Sequence, residues 1–94
     1  MDEARGAAEG LAEAFERWSR DHRVALWEGP GGVEVSTVRL PIDHGWRGTG
    51  PLWYETLIFG GPLDGEMERY ATRGEAVKGH ARMVARVISD TPKG

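Results

Sequence analysis

Residues 33–88 carry the pattern that most constrains what this chain can fold into. VEVSTVRLPIDHGWRGTGPLWYETLIFGG is followed by DGEMERYATRGEAVKGHARMVARVI. Val33–Ile42 is rich in β-branched residues, and Leu52–Phe59 adds aromatic side chains, so both read as strands. Glycines and prolines break the chain between and after them. Upstream, Val24–Glu28 is short and apolar. Gly29-Pro30-Gly31-Gly32 then makes a four-residue hairpin loop leading into Val33. Downstream, Asp64-Gly65 is a turn signal that joins a fourth strand, Glu66–Ala71. Strands in this order with short turns specify an antiparallel four-stranded sheet and an α+β fold.

The strongest single element is the last helix. Thr72-Arg73-Gly74-Glu75 fits the capping-box spacing, in which the threonine hydroxyl accepts from the glutamate amide. Val77, Ala81, Val84 and Ile88 form an apolar stripe at helical spacing, with Ala76, His80, Met83 and Val87 beside it. The pattern predicts that this face packs on the sheet and that Lys78, Arg82 and Arg86 point outward. Residues 3–22 also read as a helix, with Ala8, Leu11, Phe15, Trp18 and His22 on one side. Its tryptophan and phenylalanine are expected either to dock it on the sheet, on the same face as the last helix, or to offer a seam to another subunit. One domain spans 1–94: a helical segment 1–23, then sheet and helix over 24–91.

Length and charge narrow the function classes. A chain of 94 residues buries only about 60–65% of the surface its unfolded form exposes, so self-association is expected. With no cysteine there is no disulfide and no thiolate metal site. No apolar run reaches the roughly 20 residues that span a bilayer, and no signal peptide is recognisable. The expected setting is cytoplasmic. A net charge of −3 speaks against a DNA or RNA binder, but two or three arginines can still hold a small anion.

The unusual side chains gather in the loop between the two longest strands, Asp43-His44-Gly45-Trp46-Arg47-Gly48-Thr49-Gly50-Pro51. One reading makes it a ligand-binding rim. Trp46 supplies a π face, Arg47 charge and donors, and the glycines let backbone amides approach an anion. The other makes it a long hairpin loop in which Asp43 forms an Asx-turn and Trp46 folds back on the sheet. Trp53, Arg69 and Arg73 flank this region. Arg69 and Arg73 would reinforce an anion site at the capped helix end, or else serve as solvated edge charges beside Arg39. His44 and His80 with Asp43 and Glu55 match no strong metal or acid–base signature. No catalytic residue, cofactor or metal is assigned.

VSTVRLPIDHGW, PLWYETLIFGGPLDGE, RYAT and EAVKGHARMVARV, in this order, resemble a family of small proteins encoded by actinobacterial phages and prophages. The similarity covers residues 24–88, and Pro41 stands where the pattern has glycine. The resemblance implies a phage accessory protein acting inside the infected cell, with no catalytic residues to carry over. The expected function is non-enzymatic binding of a small anionic ligand such as a nucleotide. In an anti-defence setting, that means sequestering a host immune signalling nucleotide. An interaction protein acting on a host or phage protein is the alternative, and a hydrolase using Asp43, His44 and Glu55 is a weaker one.

Overall fold

The computed structural model describes residues 10, 13–14, 16–41, 43, 45 and 50–90. Residues 10, 13–14 and 16–21 are helical and form the described part of α1. Four strands follow, β1 (Arg23–Glu28), β2 (Glu34–Arg39), β3 (Tyr54–Phe59) and β4 (Met67–Tyr70), and then helix α2 (Arg73–Asp90). The strands lie side by side in chain order, each antiparallel to the next. The expected α+β architecture with an antiparallel four-stranded sheet is therefore the one observed.

Each turn follows from local chemistry. Between β1 and β2 the chain closes through a 3-10 turn, Pro30–Gly32, tied by the Gly29 amide to the Val33 carbonyl at 2.8 Å. Gly31 and Gly32 both sit at positive φ, 74° and 80°, where a side chain would be strained. Between β3 and β4, Asp64 Oδ1 accepts the Gly60 amide at 2.6 Å and fixes the turn. Thr72 Oγ1 accepts the Glu75 amide at 3.2 Å, so the capping threonine opens α2 as its spacing predicts.

Alternation assigns the two sheet faces. Ala25 and Trp27 of β1, Val35 and Thr37 of β2, Thr56 and Ile58 of β3, and Glu68 and Tyr70 of β4 share cross-strand positions on the α2 side. The core is Val35, Ile58, Met83 and Val87, with Trp27, Val33, Leu63 and Val84 packed around it. Helix α2 touches all four strands.

The packing face of α2 corrects the sequence expectation. The residues it buries are Ala76, Gly79, Met83 and Val87. Ala76, Met83 and Val87 belong to the wide apolar face expected to pack, but Val77 and Ile88 from its other half are 51% and 58% exposed, and Ala81 is exposed as well. Two contacts set this rotation. Gly79 lies against the Tyr70 ring, where a Cβ would stand 2.2 Å from ring atoms. Arg82 and Arg86 are exposed, as expected, and from the outer side reach across to Glu68 and Glu66, the latter at 2.7 Å.

Under α2 runs a polar ladder. Thr37 Oγ1 meets Thr56 Oγ1 at 2.5 Å and His80 Nδ1 at 2.8 Å, and the Tyr70 hydroxyl donates to Glu68 Oε1 at 2.9 Å. Both threonines are fully buried, so these bonds meet the cost of placing hydroxyls in the core. Burial pushes the His80 imidazole below its ordinary pKa. Burial pulls the Glu68 carboxyl upward, but the Arg82 and Tyr70 hydrogen bonds and nearby guanidinium charge outweigh it and leave it below its ordinary range.

Candidate functional site

One end of the sheet gathers the beginnings of β1, β3 and α2 with the end of β2. Arg39 and Tyr54 are the last register partners of the β2–β3 ladder. Just beyond them, the Leu40 amide donates to the Trp53 carbonyl at 2.7 Å, and the loop 41–52 springs from there. Asp43 secures the loop's base: its Oδ1 accepts the Gly45 and Leu52 amides, each at 2.7 Å. The Gly45 bond is an Asx-turn, so this aspartate acts as a backbone staple. His44, Trp46 and Arg47 lie outside the described residues.

The corner from α1 into β1 is pinned to the same place. Trp18 Nε1 donates to the Arg39 carbonyl at 2.7 Å, and the Trp18 and His22 rings stack with centroids 3.5 Å apart. The Arg39 amide in turn donates to the His22 carbonyl at 3.0 Å. The Arg39 guanidinium lies 5.8 Å from the centre of the Trp53 ring, a cation–π distance.

Between these elements is a shallow depression of about 220 Å³. Arg23 enters it from β1, Arg39 from β2 and Arg73 from the first residue of α2, with Tyr54, His22, Asp21 and Val24 completing the lining. No ion pair joins any of these arginines to another described residue. Three guanidinium groups against one lining carboxylate, Asp21, next to the amides that open α2, make this a concave spot of net positive charge on a chain of net charge −3.

The expected site residues thus part company. Arg73 takes part in the depression, and Trp53 stands beside it under Arg39. Arg69 does not: it pairs across the β3–β4 ladder with Glu55 at 3.0 Å. Asp43 is occupied by backbone amides. Arg23 was missed as a site residue and Arg39 was weighed only as an edge charge. Each lies at the end of a strand, where the chain turns, but no spacing in the sequence links them to Arg73.

A second, larger hollow of about 460 Å³ lies on the sheet face that α2 leaves open. Val38, Leu57 and Phe59 contribute apolar surface to it, and Glu16, Ser19 and Arg20 of α1 form a wall. Glu34 and Glu55 also line it, which makes it a poor place for an anion.

Among the described residues, no group of three or more histidines and carboxylates is placed to hold a metal ion. No described helix is long and apolar enough to cross a membrane. The chain matches no family model, no curated protein and no solved structure.

Proposed function

We propose that this protein is a non-enzymatic binder of a small anionic ligand, with the Arg23–Arg39–Arg73 depression as the place where the anion sits. The observation that carries the reading is the convergence of three arginines from three elements on one hollow that holds a single carboxylate, Asp21, with none of the three in an ion pair to another described residue. Guanidinium groups bind phosphate and carboxylate oxygens through charge-assisted, often two-pronged hydrogen bonds. A hollow of about 220 Å³ is smaller than the roughly 300–1,000 Å³ of pockets that enclose a whole drug-sized molecule. It suits a phosphoryl group, with the remainder of a nucleotide extending over Tyr54 toward the loop 41–52. The resemblance to phage proteins supplies the setting: a phage accessory protein that sequesters a nucleotide signal of its host. That link is by analogy of sequence pattern.

The hydrolase reading loses support, because two of its three groups already have structural work. Asp43 holds two backbone amides and Glu55 holds Arg69.

The test is mass spectrometry of small molecules released by heating protein purified from cells that carry signalling nucleotides. The reading expects a phosphorylated compound at close to one per binding site, retained unchanged on incubation. A preparation free of bound anion, whose melting temperature no nucleotide raises even at millimolar concentration, would overturn it.

A further inference from the structure

His22 stands where α1 turns into β1, on the wall of the arginine depression. Its Nδ1 lies 3.0 Å from the Trp18 carbonyl oxygen, which also accepts the His22 amide at 2.9 Å. A carbonyl oxygen only accepts, so Nδ1 keeps its hydrogen in the neutral and in the charged ring alike. The hydrogen that comes and goes with pH is then the one on Nε2. A neutral Nε2 presents a lone pair, which repels an anion. A protonated Nε2 presents a donor and a positive charge.

The surroundings bear on that charge in both directions. The imidazole stacks on the Trp18 ring with 3.5 Å between centroids and 9° between planes, which favours a cation on the indole face. It also sits at the C-terminal end of α1, where the last carbonyl dipoles attract positive charge. The charged or titratable groups that share the depression with it are Asp21 of α1, Arg23 of β1, Arg39 of β2, Tyr54 of β3 and Arg73 of α2. Three guanidinium charges against one carboxylate oppose a further positive charge. An anion seated among them cancels that opposition.

We propose that His22 is a fourth anion-binding group of this site, donating from a protonated Nε2, so that the protein takes up a proton together with its ligand. This role rests on the anion-binding reading of the depression and adds its regulation by pH. Proton and anion each raise the affinity for the other by the same factor, as linkage requires. The corner that carries the imidazole is tied to the strand that carries Arg39: Trp18 Nε1 donates to the Arg39 carbonyl at 2.7 Å, and the Arg39 amide donates to the His22 carbonyl at 3.0 Å. The ring is thus held in place before the ligand arrives, and binding does not have to order it. His80 does not line the depression; its Nδ1 meets Thr37 under α2.

Calorimetric titration with sulfate and with inorganic pyrophosphate tests this, from about pH 8 to about pH 5.5, the range in which histidines change charge. Sulfate keeps its own charge throughout, and the titration of pyrophosphate is common to parent and variant and cancels in their ratio. The parent is expected to bind sulfate about tenfold more tightly at the acidic end, and His22→Gln no more than about twofold. At about pH 7, repeats in buffers of different ionisation enthalpy are expected to show proton uptake by the parent and none by His22→Gln. Side-chain nitrogen NMR of the parent is expected to find the neutral ring protonated on Nδ1 and to see Nε2 gain a proton when sulfate is added, which keeps the proposal testable should His22→Gln fold poorly. Anion binding that is independent of pH overturns the proposal alone. So does a pH dependence that survives in His22→Gln but is lost in His44→Gln or Asp21→Asn, or a neutral ring protonated on Nε2. Failure of both anions to bind at any pH overturns the anion-binding reading and this role with it.

Discussion

Gly79 of α2 rests on the ring of Tyr70 from β4, so closely that a Cβ at residue 79 would stand 2.2 Å from the ring's Cε1, Cζ and hydroxyl oxygen. This contact decides how the helix is rotated on the sheet. In an isolated helix, glycine to alanine stabilises by about 1 kcal/mol. Here overlap with a buried ring opposes that gain, because forced repacking of a core costs about 1–3 kcal/mol or more. Gly79→Ala is expected to lower the melting temperature by several degrees, at about 4–8 °C per kcal/mol for a domain of this size. A raised melting temperature would mean that the ring yields easily.

The rotation of α2 makes a second prediction. Met83 is fully buried in the core, and Met83→Ala should cost about 2–5 kcal/mol through lost burial and the cavity left behind. Val77→Ala, at a position that is 51% exposed, should change stability by no more than about 0.5 kcal/mol. Val84→Asp should also destabilise strongly, since Val84 packs on the core cluster from the side. Denaturant melts of the three variants check the order. Equal effects for Met83→Ala and Val77→Ala would contradict the observed face.

That face was legible only in part, since Ala76, Met83 and Val87 pack as expected while Val77 and Ile88 do not, and the reason is physical. Val77, Ala81, Val84 and Ile88 are as apolar as the stripe that packs, so periodicity alone does not choose between them. The choice comes from partners distant in sequence: Tyr70 needs a glycine opposite it, and Glu66 and Glu68 draw Arg86 and Arg82 to the β4 side. The sheet was legible because its turns are local. Asp64, the Pro30–Gly32 turn and the Thr72 cap each act within four residues. Strand ends were over-read at Leu40-Pro41 and Leu52-Trp53, past the last ladder pair, Arg39 with Tyr54, and Ile42 lies outside the described residues. The side of the sheet that α1 borders was equally hidden, because Glu16, Ser19 and Arg20 reach the open face without any apolar signature. The arginine hollow combines residues from three elements, which no spacing rule joins.

His80 makes stability depend on pH. Its folded-state pKa is lowered by burial, so in the folded protein the imidazole resists protonation that the unfolded chain accepts. Stability is fully present above the ordinary histidine value of 6.5 and falls as pH drops from there toward the lowered folded value. Glu68 acts in a lower window. Its folded pKa is below 4.5, so its contribution is present above 4.5 and is lost as pH falls through the folded value. Melting temperatures measured from pH 8 to pH 3 should show both declines. His80→Gln should remove the upper one and leave the lower. A parent protein whose melting temperature is flat between pH 7 and pH 5 would contradict the lowered pKa of the half-buried imidazole.

Asp43 is expected to be a structural residue of the loop. Asp43→Ala strips two backbone amides of their acceptor, and each such loss costs about 1–3 kcal/mol where water does not substitute. The loop base should then exchange its amide hydrogens faster, at Gly45 and Leu52 first, while the β2–β3 ladder keeps its protection. Unchanged exchange at both amides would show that the staple is dispensable.

The most direct test of the central claim is calorimetric titration of the purified protein with a panel of mono- and dinucleotides and inorganic pyrophosphate, repeated with Arg73→Ala. Arg73 is exposed on the first turn of α2, so its removal should leave the melting temperature within a degree or two. The account predicts saturable binding of at least one phosphorylated ligand that weakens about ten- to a hundredfold in Arg73→Ala and falls further as salt rises. Absence of binding across the panel, or binding that Arg73→Ala leaves unchanged, would contradict it.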